Sequence, residues 1–312
     1  MREASYKVPQ CKKIRVILDT DCYCEADDQF ALAHALMSPK LDVVGITAEH
    51  YADLFGPNSQ DCSYNECLHV LKLMGLDDRI PVFHGAKAAM TDEKTPVMTE
   101  AAEFIIKEAL RDDPRPLFIA GQGALTNVAS AVLAYPEIGK HITMVWNGGA
   151  TYPNGEFEFN VANDVNATNV VLASDIAIWQ VPKNLYSKMY VPMSVLYQKV
   201  WPCGEIGKYL VENIARVQDI FCDWITRPGY TEAEMACGYP GGEMWILGDN
   251  DLIGLMLFDQ RYSFELRPCP RVDADCNYLP GDKPEKKIRV YTEIDREFIM
   301  DDFYAKIQYY FG

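Results

Sequence analysis

Short apolar runs alternate with segments of helical periodicity over residues 14–182 of this 312-residue chain, and this alternation constrains the fold more than any other feature. Runs rich in branched apolar residues predict strands at 14–18, 41–48, 81–85, 117–121, 142–149 and 176–182. Apolar side chains at helical spacing predict helices at 27–37, 62–74, 98–111 and 125–134. Strands that alternate with helices form right-handed crossovers around a mostly parallel sheet. We therefore expect an α/β fold, an open and mostly parallel sheet flanked by helices, with a Rossmann-like core.

The alternation loosens beyond residue 200. The pattern there predicts a long helix near 204–226, a Gly/Pro-rich turn at 238–243, a helix near 250–258, two strand-like runs and a C-terminal helix. The sequence shows no linker, internal repeat or low-complexity tract. We therefore expect a single domain over residues 1–312, in which residues 259–312 carry no motif that we can interpret.

Charge and hydropathy disfavour several classes of partner. The chain has 45 acidic and 29 basic residues, a formal net charge of −16, which repels phosphate backbones and anionic lipid headgroups. It contains no stretch of the roughly 20 apolar residues that a bilayer span requires, and its first residues lack the apolar core of a secretory signal. None of its ten cysteines belongs to a CxxC pair, so reduced thiols are the better interpretation. We expect a cytoplasmic protein that binds neither nucleic acid nor membranes.

Ligands of an open parallel sheet bind where the strands end and loops begin. This rule singles out the loops at 19–28, 121–123 and 147–149, which follow three of the predicted strands. Because the carboxyl ends of parallel strands meet at one edge, we expect the polar groups of these loops to lie together.

Five carboxylates cluster after the first predicted strand, at Asp19, Asp21, Glu25, Asp27 and Asp28. Two like charges about 4 Å apart repel by roughly 4 kcal/mol at an effective dielectric constant of ~20, so protonation, a helix N-terminus or a cation must offset the repulsion. Helix capping and solvation account for Asp27 and Asp28 alone. Asp19 and Asp21 directly follow a buried strand, whose alternation points both side chains to one face. This pattern favours a hard divalent cation, with zinc the poorer candidate.

Two known cation motifs fit this loop badly or only in part. An EF-hand needs Gly at the sixth and Glu at the twelfth position, where this chain has Cys24 and Phe30. A phosphatase of the haloacid dehalogenase type also opens with an apolar strand and Asp-x-Asp, but it usually has Thr or Val where this chain has Tyr23. One alternative is therefore a magnesium-dependent phosphohydrolase that uses Asp19 as nucleophile and Asp21 as acid/base.

The loop also resembles that of the nucleoside hydrolase family, the inosine-uridine-preferring N-ribohydrolases. The shared features are an apolar strand, Asp-x-Asp, a short spacer and a paired Asp-Asp that opens an apolar helix. Three further motifs follow in the family's order. Residues 124–129 resemble its Leu-Thr-Asn helix start, residues 155–160 (GEFEFN) resemble its Ala-Glu-Phe-Asn segment, and residues 247–249 stand where it has His-Asp-Pro.

The resemblance implies the nucleoside hydrolase fold, with a calcium ion at the floor of a pocket. The calcium ligands that it implies are Asp21, Asp28, Asp249 and the backbone carbonyl of Gln122. Asp21 is also implied as the base that deprotonates a calcium-bound water, and Asp19 as an acid that orients the loop. The residues implied to bind ribose hydroxyls are Asp27, Glu158, Asn160 and Asp249.

The activity implied by the resemblance is hydrolysis of the N-glycosidic bond of a ribonucleoside or related N-riboside, through an oxocarbenium-like transition state. Carboxylates stabilise such a state, and calcium both lowers the pKa of its water and fixes the sugar diol. The family also implies a homodimer or homotetramer. A non-catalytic homologue that binds ribose or calcium stays a further alternative, since a fold does not determine chemistry.

Two departures from the family pattern concern the loop and the second strand. Five residues separate Asp21 from Asp27, against three in the family, so Glu25 could coordinate the cation or contact the sugar. After the second strand the family has an Asn that binds ribose, whereas this chain reads TAEHYAD at 47–53.

A third departure concerns the leaving base. Gly248 stands where pyrimidine-accepting members have a His that protonates the base. A purine could instead be activated by stacking on Trp245. Otherwise the acid could come from His50, Glu49 or Asp251. The sequence leaves the nucleobase open.

Overall fold

The computed structural model describes residues 4, 6–51, 58–225 and 241–312. The strands are β1 (Ile14–Thr20), β2 (Leu41–Ala48), β3 (Val82–His84), β4 (Leu117–Gly121), β5 (Ile142–Asn147), β6 (Ala177–Val181), β7 (Tyr190–Pro192), β8 (Met244–Ile246), β9 (Phe264–Pro268), β10 (Arg271–Val272), β11 (Tyr278–Leu279) and β12 (Lys287–Tyr291). The α-helices are α1 (Asp28–Leu36), α2 (Ser59–Met74), α3 (Glu100–Ala109), α4 (Thr126–Ala134), α5 (Phe159–Asn163), α6 (Val165–Ala173), α7 (Lys183–Tyr186), α8 (Met193–Lys199), α9 (Gly204–Ile225), α10 (Asn250–Phe258) and α11 (Arg296–Phe311).

An eight-stranded sheet forms the centre of the molecule, in the order β3-β2-β1-β4-β5-β6-β12-β9. The strands from β3 to β12 in this order are parallel to their neighbours, and the edge strand β9 runs antiparallel to β12. Each parallel pair needs a crossover, and most of the crossovers contain helices, as the alternation in the sequence predicts. The predicted open, mostly parallel sheet is confirmed.

Helices cover both faces of this sheet. Alternate residues of β1 point to opposite sides, so Val16 and Leu18 pack with helices α1, α2, α9, α10 and α11, whereas Ile17 packs with α3, α4 and α6. All three side chains are fully buried, and burial of one such side chain stabilises a fold by about 1.5–3 kcal/mol. Strands buried on both faces are apolar at nearly every position, which is why they could be recognised as continuous runs.

The structure extends the prediction at several points. β1 continues to Thr20, two residues beyond the predicted end, because Asp19 still pairs with β2 and β4. The pattern did not predict β7 and β8, which form a separate two-stranded sheet. Residues 259–312 supply β9 and β12 to the main sheet and α11 to one face. Of the predicted turn at 238–243, residues 238–240 lie outside the described residues, as does residue 226 of the predicted long helix.

The register of the strands places the starts of the polar loops side by side at one edge of the sheet. Asp19 of β1 pairs with Thr47 of β2 and with Gly121 of β4, and Gly121 pairs with Trp146 of β5. The residues that follow these positions therefore lie side by side at the carboxyl edge of the sheet, where ligands bind in such folds. In the part of the chain that the structure describes, no helix is both long and apolar enough to cross a bilayer.

Candidate active site

A cavity of about 60 Å³ lies at this edge of the sheet. Eight residues singled out from the sequence line it, namely Asp21, Glu25, Asp27, Asp28, Gln122, Glu158, Asn160 and Asp249. Cys24, Asn147, Phe159, Tyr186 and Gly248 also line it. The loop after β1, the ends of β4 and β5, and the starts of α5 and α10 thus contribute to one site.

Three carboxylates converge at the centre of this lining. Asp27, Asp28 and Asp249 each bring one oxygen within 4.8 Å of the others, and all three residues are buried. Asp27 precedes α1 and forms hydrogen bonds to both other members of the cluster. Its Oδ1 accepts the Asp28 backbone N–H at 3.1 Å, and its Oδ2 accepts the Asp249 backbone N–H at 3.4 Å.

Burial raises the pKa of each carboxyl group in this cluster, and neighbouring carboxylates raise it further at Asp21, Asp28 and Asp249. Burial raises the pKa of Asp27 to about 6. Burial, followed by the charge of Asp27, raises the pKa of Asp28 to about 8. The pKa values of Asp21 and Asp249 lie well above 3.8, through burial first and the neighbouring carboxylates second. Among the described residues that line the cavity there is no lysine or arginine, so a bound cation is the group that would favour the ionised forms.

The surroundings of Asp249 supply further oxygen donors. Gln122 Nε2 donates to its Oδ2 at 3.1 Å, and Asn147 Nδ2 donates to its Oδ1 at 3.0 Å. The amide oxygens Gln122 Oε1 and Asn147 Oδ1 are buried and have no hydrogen-bond partner among the described residues. Orphaned acceptors beside a carboxylate cluster form an oxygen-only donor set, which suits calcium or magnesium better than zinc. The residues present therefore fit a hard divalent cation.

The backbone of Gln122 connects the cation side of the cavity to the sugar side implied by the family resemblance. Its N–H donates to the Asp19 carbonyl at 2.8 Å, which fixes the loop after β4 against β1. Its carbonyl oxygen accepts the Asn160 Nδ2 group at 2.9 Å, and the same amide donates to the Asn147 carbonyl at 3.0 Å. A carbonyl has two lone pairs, so that of Gln122 can still accept a further partner.

Glu158 is fully buried and caps helix α5. Its Oε1 accepts the Asn160 backbone N–H at 3.1 Å and the Tyr186 hydroxyl at 2.7 Å. Its Oε2 accepts the backbone N–H groups of Gly149 at 2.9 Å and Val161 at 3.0 Å. Burial raises its pKa, which these donors partly counteract. The GEFEFN segment thus places one carboxylate firmly in the cavity wall.

Asp19 lies behind this wall rather than in it. Its Oδ1 accepts the Thr47 hydroxyl at 2.6 Å and the Asn127 amide at 2.9 Å, and its side chain is completely enclosed. Asp19 still belongs to β1, whereas Asp21 lies in the turn that follows, and of the two only Asp21 lines the cavity. An enclosed carboxylate cannot attack a phosphoryl group, so this geometry does not support a phosphohydrolase with Asp19 as nucleophile.

The structure does not bring His50 or Trp245 into the described lining. His50 is buried outside the described lining, and its Nε2 lies 2.9 Å from the Thr126 hydroxyl. Trp245 belongs to β8 and is fully buried in the core, edge-on to Phe221 with ring centroids 6.0 Å apart. A strand position between apolar neighbours explains why this indole packs inside.

The other residues considered as acids differ in their placement. Glu25 lines the cavity from the enlarged loop. Glu49 and Asp251 are fully buried, and neither belongs to the described lining. Asn147 and Tyr186 line the cavity although neither was predicted to have a role. Asn147 opens a loop that the strand-end rule had singled out, and the same rule applied after β6 points to the segment that carries Tyr186.

The fold and the site together define an α/β enzyme with a buried carboxylate cluster suited to a divalent cation. Residues 16–297 match the family model described as inosine-uridine preferring nucleoside hydrolase, and the chain belongs to this family. The family is metal-dependent, and its members are hydrolases that act on N-glycosyl bonds, which confirms the resemblance and the enzyme class predicted from the sequence.

Comparison with individual proteins agrees with this assignment. The chain is 26% identical to the probable uridine nucleosidase 2 of Arabidopsis thaliana, in an alignment that covers 67% of this chain and 70% of the relative. It is 30% identical to the pyrimidine-specific ribonucleoside hydrolase RihA of Citrobacter koseri, over 51% of this chain and 57% of that protein. The solved plant nucleoside hydrolase PpNRh1 superimposes with a TM-score of 0.74 at 19% identity, covers 95% of this chain and 99% of its own, and shows the shared fold.

Proposed function

We propose that this protein is a calcium-dependent hydrolase that cleaves the N-glycosidic bond of a ribonucleoside or related N-riboside. The observation that carries the proposal is the convergence of Asp27, Asp28 and Asp249 in one buried cluster, next to Glu158 and Asn160 in the same cavity. Asp27 and Asp28 are more than 200 residues away from Asp249 in the chain, so this convergence is a property of the fold.

The cation site that we propose consists of Asp21, Asp28, Asp249 and the carbonyl oxygen of Gln122. When bound there, calcium supplies a Lewis acid that makes a water more acidic and orients the sugar diol. Asp27, Glu158 and Asn160 lie around the same cavity and bind the ribose hydroxyls.

Hydrolysis needs a base and a site that tolerates positive charge. Asp21 takes a proton from the attacking water, whose oxygen forms a bond to the anomeric carbon. The N-glycosidic bond breaks, and its electron pair leaves with the nucleobase. The ring acquires oxocarbenium character during this step, and the carboxylates that surround the cavity stabilise it.

The charge of the lining favours an uncharged riboside. Six carboxylate residues line the cavity, and the described lining contains no lysine or arginine that could bind a phosphate. A 5′-phosphate would therefore be repelled. We expect nucleoside 5′-monophosphates to be poorer substrates than the corresponding nucleosides.

A reducing-sugar assay on purified protein tests the proposal directly. The panel contains purine and pyrimidine ribonucleosides, their 5′-monophosphates, and phosphate monoesters assayed separately for phosphate release. We expect ribose release from at least one nucleoside with calcium present, loss of activity with a chelator, and recovery when calcium is returned. If no nucleoside releases ribose under any of these conditions, the proposed function is wrong.

The Asp21→Asn variant tests the assigned base. Loss of a general base lowers turnover by about 10²–10⁴-fold, whereas thermal stabilisation by calcium should persist through the remaining ligands. Asp219→Asn, which changes an exposed carboxylate on α9, is the matched control and should behave like the wild type. Nearly unchanged nucleoside hydrolysis in Asp21→Asn would show that another group is the base.

Location and assembly stay predictions. The nine cysteines that the structure describes carry free thiols, which supports our proposal of a reducing, cytoplasmic environment. The homodimer or homotetramer implied by the family can be measured by light scattering coupled to size-exclusion chromatography.

A further inference from the structure

Tyr186 fills the space beside Gly248, the position that has no side chain to assist the leaving base. A Cβ atom added to Gly248 would lie 3.6 Å from Tyr186 Cδ2 and 3.2 Å from Asp27 Oδ2. The tyrosine ring is therefore within van der Waals distance of the place that a side chain at this position would occupy. Tyr186 itself lines the cavity, at the end of α7 just after β6.

The candidates for an acid that the sequence offered do not take this place. His50 is held by Thr126, and Glu49 and Asp251 are fully buried outside the described lining. The Tyr186 hydroxyl is a hydrogen-bond donor that lines the cavity. Burial and the charge of Glu158 raise its pKa well above 10, so it keeps its proton at neutral pH.

The hydrogen bonds of Glu158 indicate what happens when a sugar enters. A carboxylate offers about four lone-pair sites, and Glu158 already accepts four donors. Three of these donors are backbone N–H groups, which the fold holds in place. The fourth is the Tyr186 hydroxyl, which belongs to a side chain that can rotate. A ribose hydroxyl that binds Glu158 therefore takes the position of the tyrosine hydroxyl.

We propose that Tyr186 contacts the leaving base: a sugar hydroxyl replaces it on Glu158, and the released hydroxyl donates a hydrogen bond to an acceptor atom of the departing base. This inference rests on the proposed function and deepens it. The base gains electron density as the N-glycosidic bond breaks, so a donor at this point stabilises the transition state. The substrate class is an N-riboside whose base carries a carbonyl oxygen or ring nitrogen near the glycosidic bond.

The test compares two leaving groups in wild-type protein and in Tyr186→Phe, with calcium present. One substrate is the nucleoside that the wild type hydrolyses fastest, and the other is p-nitrophenyl β-D-ribofuranoside, whose nitrophenolate departs without assistance. We expect Tyr186→Phe to lower kcat/KM for the nucleoside by about 100-fold and for the nitrophenyl riboside by less than about 3-fold. Tyr190→Phe is the matched control, since Tyr190 is exposed on β7, and should leave both rates unchanged.

Each other outcome has a definite meaning. Equal losses on the two substrates would show that Tyr186 only holds Glu158 in place, and would overturn the inference while leaving the proposed function intact. Unchanged nucleoside hydrolysis in Tyr186→Phe would also overturn it. Wild-type protein that hydrolyses neither riboside would refute the proposed function and this inference together. Activity on the nitrophenyl riboside also reports that the variant is folded.

Discussion

Replacement of Asp28 by asparagine should make the metal-free protein more stable and should weaken its stabilisation by calcium. Burial, followed by the charge of Asp27, raises the pKa of Asp28 from 3.8 to about 8. At pH 7 this carboxyl group is therefore protonated in the folded metal-free protein and ionised in the unfolded chain. Its contribution to stability is fully present below pH 3.8 and is lost as the pH rises through 8.

The size of the effect follows from this difference in pKa. The interval of about 3 pH units between 3.8 and pH 7 corresponds to a cost of about 4 kcal/mol. Asparagine does not ionise in the unfolded chain, and its Oδ1 can still accept the Thr20 hydroxyl that Asp28 accepts. We expect the free energy of unfolding of the metal-free protein to rise by about 2–4 kcal/mol at pH 7, which raises Tm by several degrees.

Urea unfolding at pH 7, with a chelator and then with calcium, measures both parts of this prediction. Calcium at about 100 times the wild-type Kd should add about 2.7 kcal/mol to the wild-type protein and clearly less to Asp28→Asn, which keeps the other ligands but loses one carboxylate charge. The control Asp219→Asn, at an exposed position, should match the wild type under both conditions. The reasoning is refuted if Asp28→Asn is less stable than the wild type in chelator, or if it keeps the full calcium effect.

Two further changes probe the support of the site and the core. A Cβ atom at Gly123 would overlap Glu49 Oε2 and lie 2.7 Å from Asp21 Cγ. Gly123→Ala should therefore shift Asp21 and lower kcat by about 100-fold, while the circular dichroism spectrum stays unchanged. An unaltered kcat would contradict this prediction. Burial lowers the pKa of His34 to about 4, so its contribution to stability is present above pH 6.5 and is lost as the pH falls towards 4, by about 3 kcal/mol. Urea unfolding at several pH values should show a weaker acid dependence in His34→Gln, and identical profiles would disprove this role.

The central sheet could be predicted because its strands are buried on both faces. Val16, Ile17 and Leu18 are consecutive, apolar and fully buried, and apolar runs of this kind are readily recognised. The end of that strand was harder to predict. Asp19 and Thr20 are polar, yet they continue the ladder, because Asp19 finds Thr47 and Asn127 as hydrogen-bond partners from other elements. Only the three-dimensional structure brings those partners together.

The carboxylates of the site could be predicted for a different reason. Asp21, Asp27 and Asp28 follow one strand within eight residues, so their proximity is local in sequence. The strand-end rule and the family resemblance together located Gln122 and Asp249. The strand-end rule points only to the segment that carries Tyr186, because the role that we propose for this residue depends on the absent side chain of Gly248, some 60 residues away in the chain. The sequence around Tyr186 does not show that this residue lies beside a position without a side chain.

Two of the three departures from the family pattern, the enlarged loop and Gly248, lie in the lining of the cavity. The enlarged loop brings Cys24 and Glu25 into the lining. The charge of Glu158 helps to raise the pKa of Glu25, and the charge of Glu25 helps to raise the pKa of Tyr186. Tyr186 in turn lies against Gly248. Asp21, Asp28 and Asp249, by contrast, lie in the segments that resemble the family's motifs. A change in the cation ligands would alter the chemistry itself, whereas, on the role proposed above for Tyr186, a change around that residue would alter which group can leave. We therefore expect this chain to keep the family's reaction and to differ from its relatives in the base that it releases.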